Sequence, residues 1–158
     1  MPSDARTFYT YPTTFGPITI GSNSTAITAV ILGESSLPGL RKPSALTTQA
    51  ANEIMEYLAG KRTVFTVPCQ LTGTAFQQQV WRAVANIPYG QTRTARDLAE
   101  TLGAPDSFRA VGAALKKCPA PLLVPIHRIV SAAGKPLGSG QAAAVARALL
   151  HLEAPTHS

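Results

Sequence analysis

The chain has 158 residues, 45% of them hydrophobic and 14% charged, and its 14 basic and 8 acidic side chains leave a net charge of +6. That length suits one compact domain or two small ones, with enough core to fold without a disulfide or a metal. Two cysteines (Cys69, Cys118) make no disulfide framework, no close Cys/His pairs offer four zinc ligands, and no apolar run suits a secretory signal or a membrane span, so the reading is a reduced cytoplasmic protein with no metal or cofactor.

Residues 7–32 read as β-structure. Ile18 and Ile20 alternate with Thr19 and Gly21, and Ile27, Ala29 and Ile31 alternate with Thr28 and Val30, around a turn at residues 21–24. Residues 33–44, rich in Gly and Pro, read as loop. Leu46, Ala50, Ile54 and Leu58 at spacing four predict a helix over 45–58, stopped by Gly60. Residues 63–67 are β-prone, and residues 69–73 read as a linker between a domain at 1–68 and a domain at 74–158.

Beyond the linker the pattern turns helical. Thr74 is placed to cap a helix carrying Phe76, Val80, Trp81 and Val84 on one face, with Trp81 as core. Ile87-Pro-Tyr-Gly90 ends it. Thr94 caps a short helix with Leu98 and Leu102, closed by Gly103. Pro105 with Asp106 or Ser107 opens the next, with Phe108, Val111, Gly112 and Leu115, and Cys118-Pro-Ala-Pro121 ends it. Two short helices around a Gly-containing turn, the second bearing Arg109, suit a helix-turn-helix. Residues 122–130 read as an extended apolar stretch bearing His127 and Arg128, and residues 142–153 as a last helix with Val145, Leu149 and Leu152.

The charge is uneven. Residues 1–73 carry five basic and four acidic groups, whereas residues 74–158 carry nine and four. The excess of +5 in the second half is the electrostatic footprint of a phosphate-rich partner, or of a basic solvated surface.

Several segments together resemble one family. Gly73-Thr-Ala-Phe-Gln-Gln-Gln-Val-Trp81, Ile87-Pro-Tyr-Gly-Gln-Thr92, Arg109-Ala-Val-Gly112, Pro125-Ile-His-Arg128 and Leu149-Leu-His-Leu-Glu153 are similar to the C-terminal domain of O6-alkylguanine-DNA alkyltransferases. Phe15-Gly-Pro-Ile-Thr-Ile20 and Tyr57-Leu-Ala-Gly-Lys-Arg62 resemble that family's N-terminal domain. The resemblance implies an α/β N-terminal domain of RNase H-like topology and an α-helical C-terminal domain with a winged-helix-like helix-turn-helix. It also implies a monomer that binds double-stranded DNA through the minor groove, flips O6-alkylguanine out of the stack, and acts in DNA repair.

The family takes the alkyl group on a cysteine in Pro-Cys-His-Arg, activated by the neighbouring His, a water and a Glu. Here that position is Ile126, with His127 and Glu153 retained. A hydrocarbon side chain has no lone pair or ionisable proton, so it takes no methyl group. The family's non-catalytic branch, the alkyltransferase-like proteins, also replaces this cysteine and is understood to hand the lesion to nucleotide excision repair. The leading reading is therefore a lesion-binding protein without transfer. The alternative is an active methyltransferase using another thiol, or a Cys-to-Ile form of an active enzyme. A third reading is a remnant that no longer binds lesions.

Other roles come with the resemblance. Arg109 matches the arginine that fills the space of the flipped base, and Thr94 a phosphate-contacting hydroxyl. Ala110 and Gly112 match small residues that let the helix approach the groove, and Lys116 and Arg128 match basic DNA-binding positions. Leu115, Ile129 and Leu137 match apolar positions of the base pocket, joined there by Cys118, Ile126, Ser139 and Gly140. The sequence departs at Ala95, where the family has a tyrosine that rotates a phosphate. It departs also at Cys118, in place of a hinge Asn, and at Ser139-Gly140, in place of a Tyr-Ser pair. Cys118 reads either as a displaced nucleophile or as a small apolar filler. His127 reads as a brace bonded to Glu153 rather than as a base.

Overall fold

The computed structural model describes residues 6–138 and 140–154. The chain forms two compact units that meet in sequence between Thr72 and Gly73.

In the first unit, β1 (Thr7–Tyr11), β2 (Ile18–Ser22) and β3 (Ile27–Leu32) form an antiparallel meander, and β4 (Leu40–Arg41) adds in parallel beside β1. The turn between β2 and β3 lies slightly later than its Gly suggests. The Asn23 side-chain oxygen accepts from the Thr25 and Ala26 amides at 2.8 Å each, and this local bond sets the reversal. β4 falls inside the stretch expected to be loop. Gly39 makes it possible: its φ is +109°, and a Cβ there would lie 2.2 Å from the Arg6 carbonyl oxygen, the group that accepts from the Leu40 amide.

Helix α1 (Ala45–Leu58) starts at a Ser44/Thr47 capping box and buries Ala50, Ile54 and Tyr57 against the sheet. Its Glu53, 4% exposed, accounts for a difference from expectation. Residues 63–67 form no strand, because the Thr66 and Val67 amides donate to the Glu53 carboxylate at 2.8 and 3.2 Å instead of to a ladder. The Thr66 hydroxyl and Gln49 also donate to it. Desolvation pushes this carboxyl upward, but the four hydrogen bonds outweigh it and bring its pKa from 4.5 to about 2. Residues 69–70, the start of the expected linker, continue the first unit with Pro68: the Ile27 amide donates to Pro68, and the Gln70 amide to Ile27.

In the second unit, α2 (Ala75–Ala85) begins at a Thr74/Gln77 capping box. Trp81 is buried and donates its indole N–H to the Ala114 carbonyl at 2.9 Å, so it is core. Gly73 lies flat against that indole, where a Cβ would come within 2.6 Å of the ring. β5 (Arg93–Thr94) leads directly into α3 (Ala95–Thr101), capped by Thr94 and Asp97. A 3-10 turn over Pro105–Ser107 precedes α4 (Phe108–Lys116). A second 3-10 turn, Ile126–Arg128, interrupts the stretch expected to be extended and runs into β6 (Ile129–Val130), which pairs in parallel with β5. Helix α5 (Gly140–Glu153) closes the unit.

Candidate functional site

The C-terminus of α4 delivers the chain to the Ile126–Arg128 turn. Pro119 and Pro121 prevent further helix, and the chain reverses over Ala120–Val124, where the Val124 amide donates to Ala120 at 3.0 Å. Leu122, inside this reversal, has a φ of +80° and is buried. That backbone costs a residue with a Cβ roughly 1–2 kcal/mol, which burial of the side chain offsets.

The turn is held from α5. Glu153 sits on the last residue of that helix with its side chain 2% exposed. One carboxylate oxygen accepts from Arg128 Nε at 2.8 Å and from the Gly90 amide at 3.3 Å. The other accepts from the second Arg128 amine at 2.9 Å and is 2.8 Å from His127 Nε2. The carboxylate only accepts, so the His127 proton facing it is on Nε2. Arg128 also donates to the Ile87 carbonyl at 2.7 Å, and its guanidinium lies 5.6 Å from the centre of the Tyr89 ring. The Tyr89 hydroxyl donates to Leu152, and burial followed by the Glu153 charge pushes its pKa up.

One expected site residue therefore has a different place. Arg128, read as a DNA-binding cation, is 7% exposed and commits its guanidinium to Glu153 and Ile87. A buried guanidinium needs a buried partner, and Glu153 supplies two oxygens in the matching fork geometry. The Ile87-Pro-Tyr-Gly90 segment, whose part in this network the sequence pattern did not reveal, contributes the Ile87 carbonyl, the Tyr89 ring and the Gly90 amide.

The expected DNA-contacting residues of α4 share its open side. Arg109, Gly112 and Lys116 follow at three and four residues and so fall on one face, with Ala110 beside them. Arg109, Ala110 and Lys116 are exposed, while Val111, Ala114 and Leu115 are buried on the opposite side. A Cβ at Gly112 would meet nothing within 4 Å. Thr94 is half-buried; its hydroxyl accepts from the Asp97 amide at 3.1 Å. Ala95 opens α3 and is half-buried.

The residues expected around a base pocket are not equally open. Leu115 and Ile129, at 5% and 1% exposure, are part of the core. Cys118 and Ile126 are half-buried, Leu137 is exposed, and Gly140 opens α5 with a φ of +62°. Ser139 lies outside the described residues. The other thiol, Cys69, belongs to the first unit. The residue is exposed, its Sγ lies 3.8 Å from the Val67 carbonyl, and partial desolvation of the thiol together with the Glu53 charge pushes its pKa up to about 11. Among the described residues no group of three His, Cys, Asp or Glu side chains is placed to hold a metal, and no helix is long and apolar enough to cross a membrane.

Comparison with known proteins places this arrangement. Residues 75–155 match the family described as 6-O-methylguanine DNA methyltransferase, DNA binding domain. A methylated-DNA–protein-cysteine methyltransferase of Mycobacterium tuberculosis is 37% identical over 151 residues, covering 92% of this chain and 91% of that protein. The constitutive enzyme of that name in Bacillus subtilis is 44% identical over 82 residues, or 52% of this chain and 50% of its own. A crystal structure of Mycobacterium tuberculosis O6-methylguanine methyltransferase superposes with a TM-score of 0.86 at 36% identity, covering 96% of both chains. A crystal structure of the Mycobacterium tuberculosis protein in complex with DNA gives a TM-score of 0.85 at 37% identity, covering 94% of this chain and 95% of that one. Fold and sequence together define a DNA-binding protein of alkyltransferase type. The chain belongs to the O6-methylguanine DNA methyltransferase family.

Proposed function

We propose that this protein binds O6-alkylguanine in double-stranded DNA, holds the altered base outside the stack, and does not take the alkyl group. It would act in repair as a monomer that marks the lesion for other factors, nucleotide excision repair proteins among them. The observation that carries this reading is Ile126. It heads the turn braced by His127, Arg128 and Glu153, and the resemblance puts the family's nucleophile there. The pair that would activate a thiolate is in place and has no sulfur beside it in sequence.

The DNA contacts follow from the second unit. We read α3 and α4 as the two helices of a winged-helix-like helix-turn-helix, with Arg109 entering the stack and Lys116 and the Thr94 hydroxyl at phosphates. For the first unit, the strand order β3-β2-β1-β4 with β4 parallel to β1 supports an RNase H-like topology.

The test is a duplex carrying O6-methylguanine labelled in the methyl group. The protein should bind it more tightly than the undamaged duplex and remain unlabelled. Label on the protein, at Cys118 above all, would overturn the reading in favour of an active methyltransferase. Equal affinity for both duplexes, falling steeply with salt, would mean that only phosphate attraction survives.

A further inference from the structure

Helix α4 begins on an aromatic ring that the core does not absorb. Phe108 is its first residue and is half-buried, while Val111 and Leu115 of the same helix are buried. The guanidinium of Arg96, from the first turn of α3, stands 4.2 Å from the centre of that ring, and the guanidinium of Arg109 stands 5.8 Å from it. Both arginines are exposed, and among the described residues neither has a carboxylate within 4.0 Å. A partly open ring with two cations at it, neither in contact with a carboxylate, matches the chemistry of a stacked base beside its phosphates.

We infer that Phe108 is a second stacking element of the DNA interface and that the ligand of the Arg96–Phe108–Arg109 cluster is any duplex with a vacancy in its stack, an abasic site included. The inference deepens the functional reading above and rests on Arg109 entering the stack. Its guanidinium lies 5.8 Å from the ring centre, which is less than two base steps of about 3.4 Å each. When Arg109 occupies a vacancy, the Phe108 ring, on the residue just before it, is brought within two base steps of that vacancy and so within reach of a flanking base. Apolar wedges of this kind open base steps from the minor groove. The contact of both guanidiniums with one ring holds them before DNA arrives, so less side-chain freedom is lost on binding. Arg96, the second cation at the ring, meets a flanking phosphate.

The full-length protein is titrated with three duplexes of one sequence: intact, containing O6-methylguanine, and containing a stable tetrahydrofuran abasic analogue. Each has 2-aminopurine next to the variable position. The parent protein should prefer the abasic duplex to the intact one and change the 2-aminopurine emission. Phe108→Ala should reduce that preference about tenfold and abolish the emission change, with an unfolding midpoint like the parent's. Phe108→Tyr should restore both. Arg96→Ala should lower the salt slope by about one. The inference is overturned if the parent shows no abasic preference, if Phe108→Ala retains it, or if Phe108→Ala weakens all three duplexes equally. Failure of the functional reading is distinct: a parent that prefers the abasic duplex but does not separate O6-methylguanine from intact DNA loses lesion recognition and keeps this interface.

Discussion

Glutamine at position 153 keeps the size of the side chain and removes its charge. Among the described residues, N–H groups from Arg128 (twice), His127 and Gly90 converge on the Glu153 carboxylate. A glutamine offers one oxygen and turns an NH2 toward the remaining donors. The Arg128 guanidinium, with its side chain 8% exposed, is then a buried cation without a counter-charge. Breaking such a pair from one side costs about 3–5 kcal/mol, which for a chain of this length lowers the unfolding midpoint by roughly 6–20 °C. Thermal unfolding at neutral pH measures this, followed by circular dichroism and by the fluorescence of Trp81, the single tryptophan, which reports on the second unit. Arg128→Met combined with Glu153→Gln should cost less than the two singles together, since the partners share one interaction. A Glu153→Gln midpoint within about 2 °C of the parent's would refute the argument that this carboxylate holds the turn.

The Glu53 carboxyl has a folded pKa of about 2 against 4.5 for the ordinary group. Its stabilisation, about 3 kcal/mol from a shift of that size, is complete above pH 4.5 and is lost as pH falls through 2. The difference in urea unfolding free energy between parent and Glu53→Gln should therefore shrink from pH 7 to pH 2, and a pH-independent difference would contradict this assignment. At Gly112, where a Cβ meets nothing, Gly112→Ala should stabilise the helix by roughly 0.5–1 kcal/mol, and Gly112→Leu should leave the fold intact yet weaken duplex binding. Unchanged binding by the leucine variant would show that this face does not approach DNA closely. Ile126→Cys should take one methyl group from an O6-methylguanine duplex, the new S–C bond forming as the C–O6 bond breaks and its electron pair stays with the guanine. An unlabelled variant with intact lesion binding would show that His127 and Glu153 do not activate position 126.

Much of the chain's local structure is legible without coordinates because its causes are local. Leu46, Ala50, Ile54 and Leu58 repeat at a helical interval, and α1 spans the expected residues 45–58. Thr74 and Thr94 are cap residues three positions before Gln77 and Asp97, and both form the reciprocal bonds that such spacing permits. The alternating runs at 18–20 and 27–31 form β2 and β3. The family, too, is readable from the order of its short motifs, and Ile126 stands out within one of them.

Distant partners decided the rest. Residues 63–67 have strand propensity, but Glu53, thirteen residues earlier, takes their amides. β4 exists because Gly39 lets the chain pass against the Arg6 carbonyl. Arg128 shows the limit most plainly: by resemblance it matches a basic DNA-binding position, and in space it is the counter-ion of a glutamate 25 residues away. Phe108 reads as one more apolar helix residue until Arg96, from another helix, is found over its ring. Periodicity and caps are encoded within a few residues and survive in the one-dimensional pattern. The destination of a charge or a ring depends on which groups the folded backbone brings within a few ångströms, and sequence separation carries no measure of that.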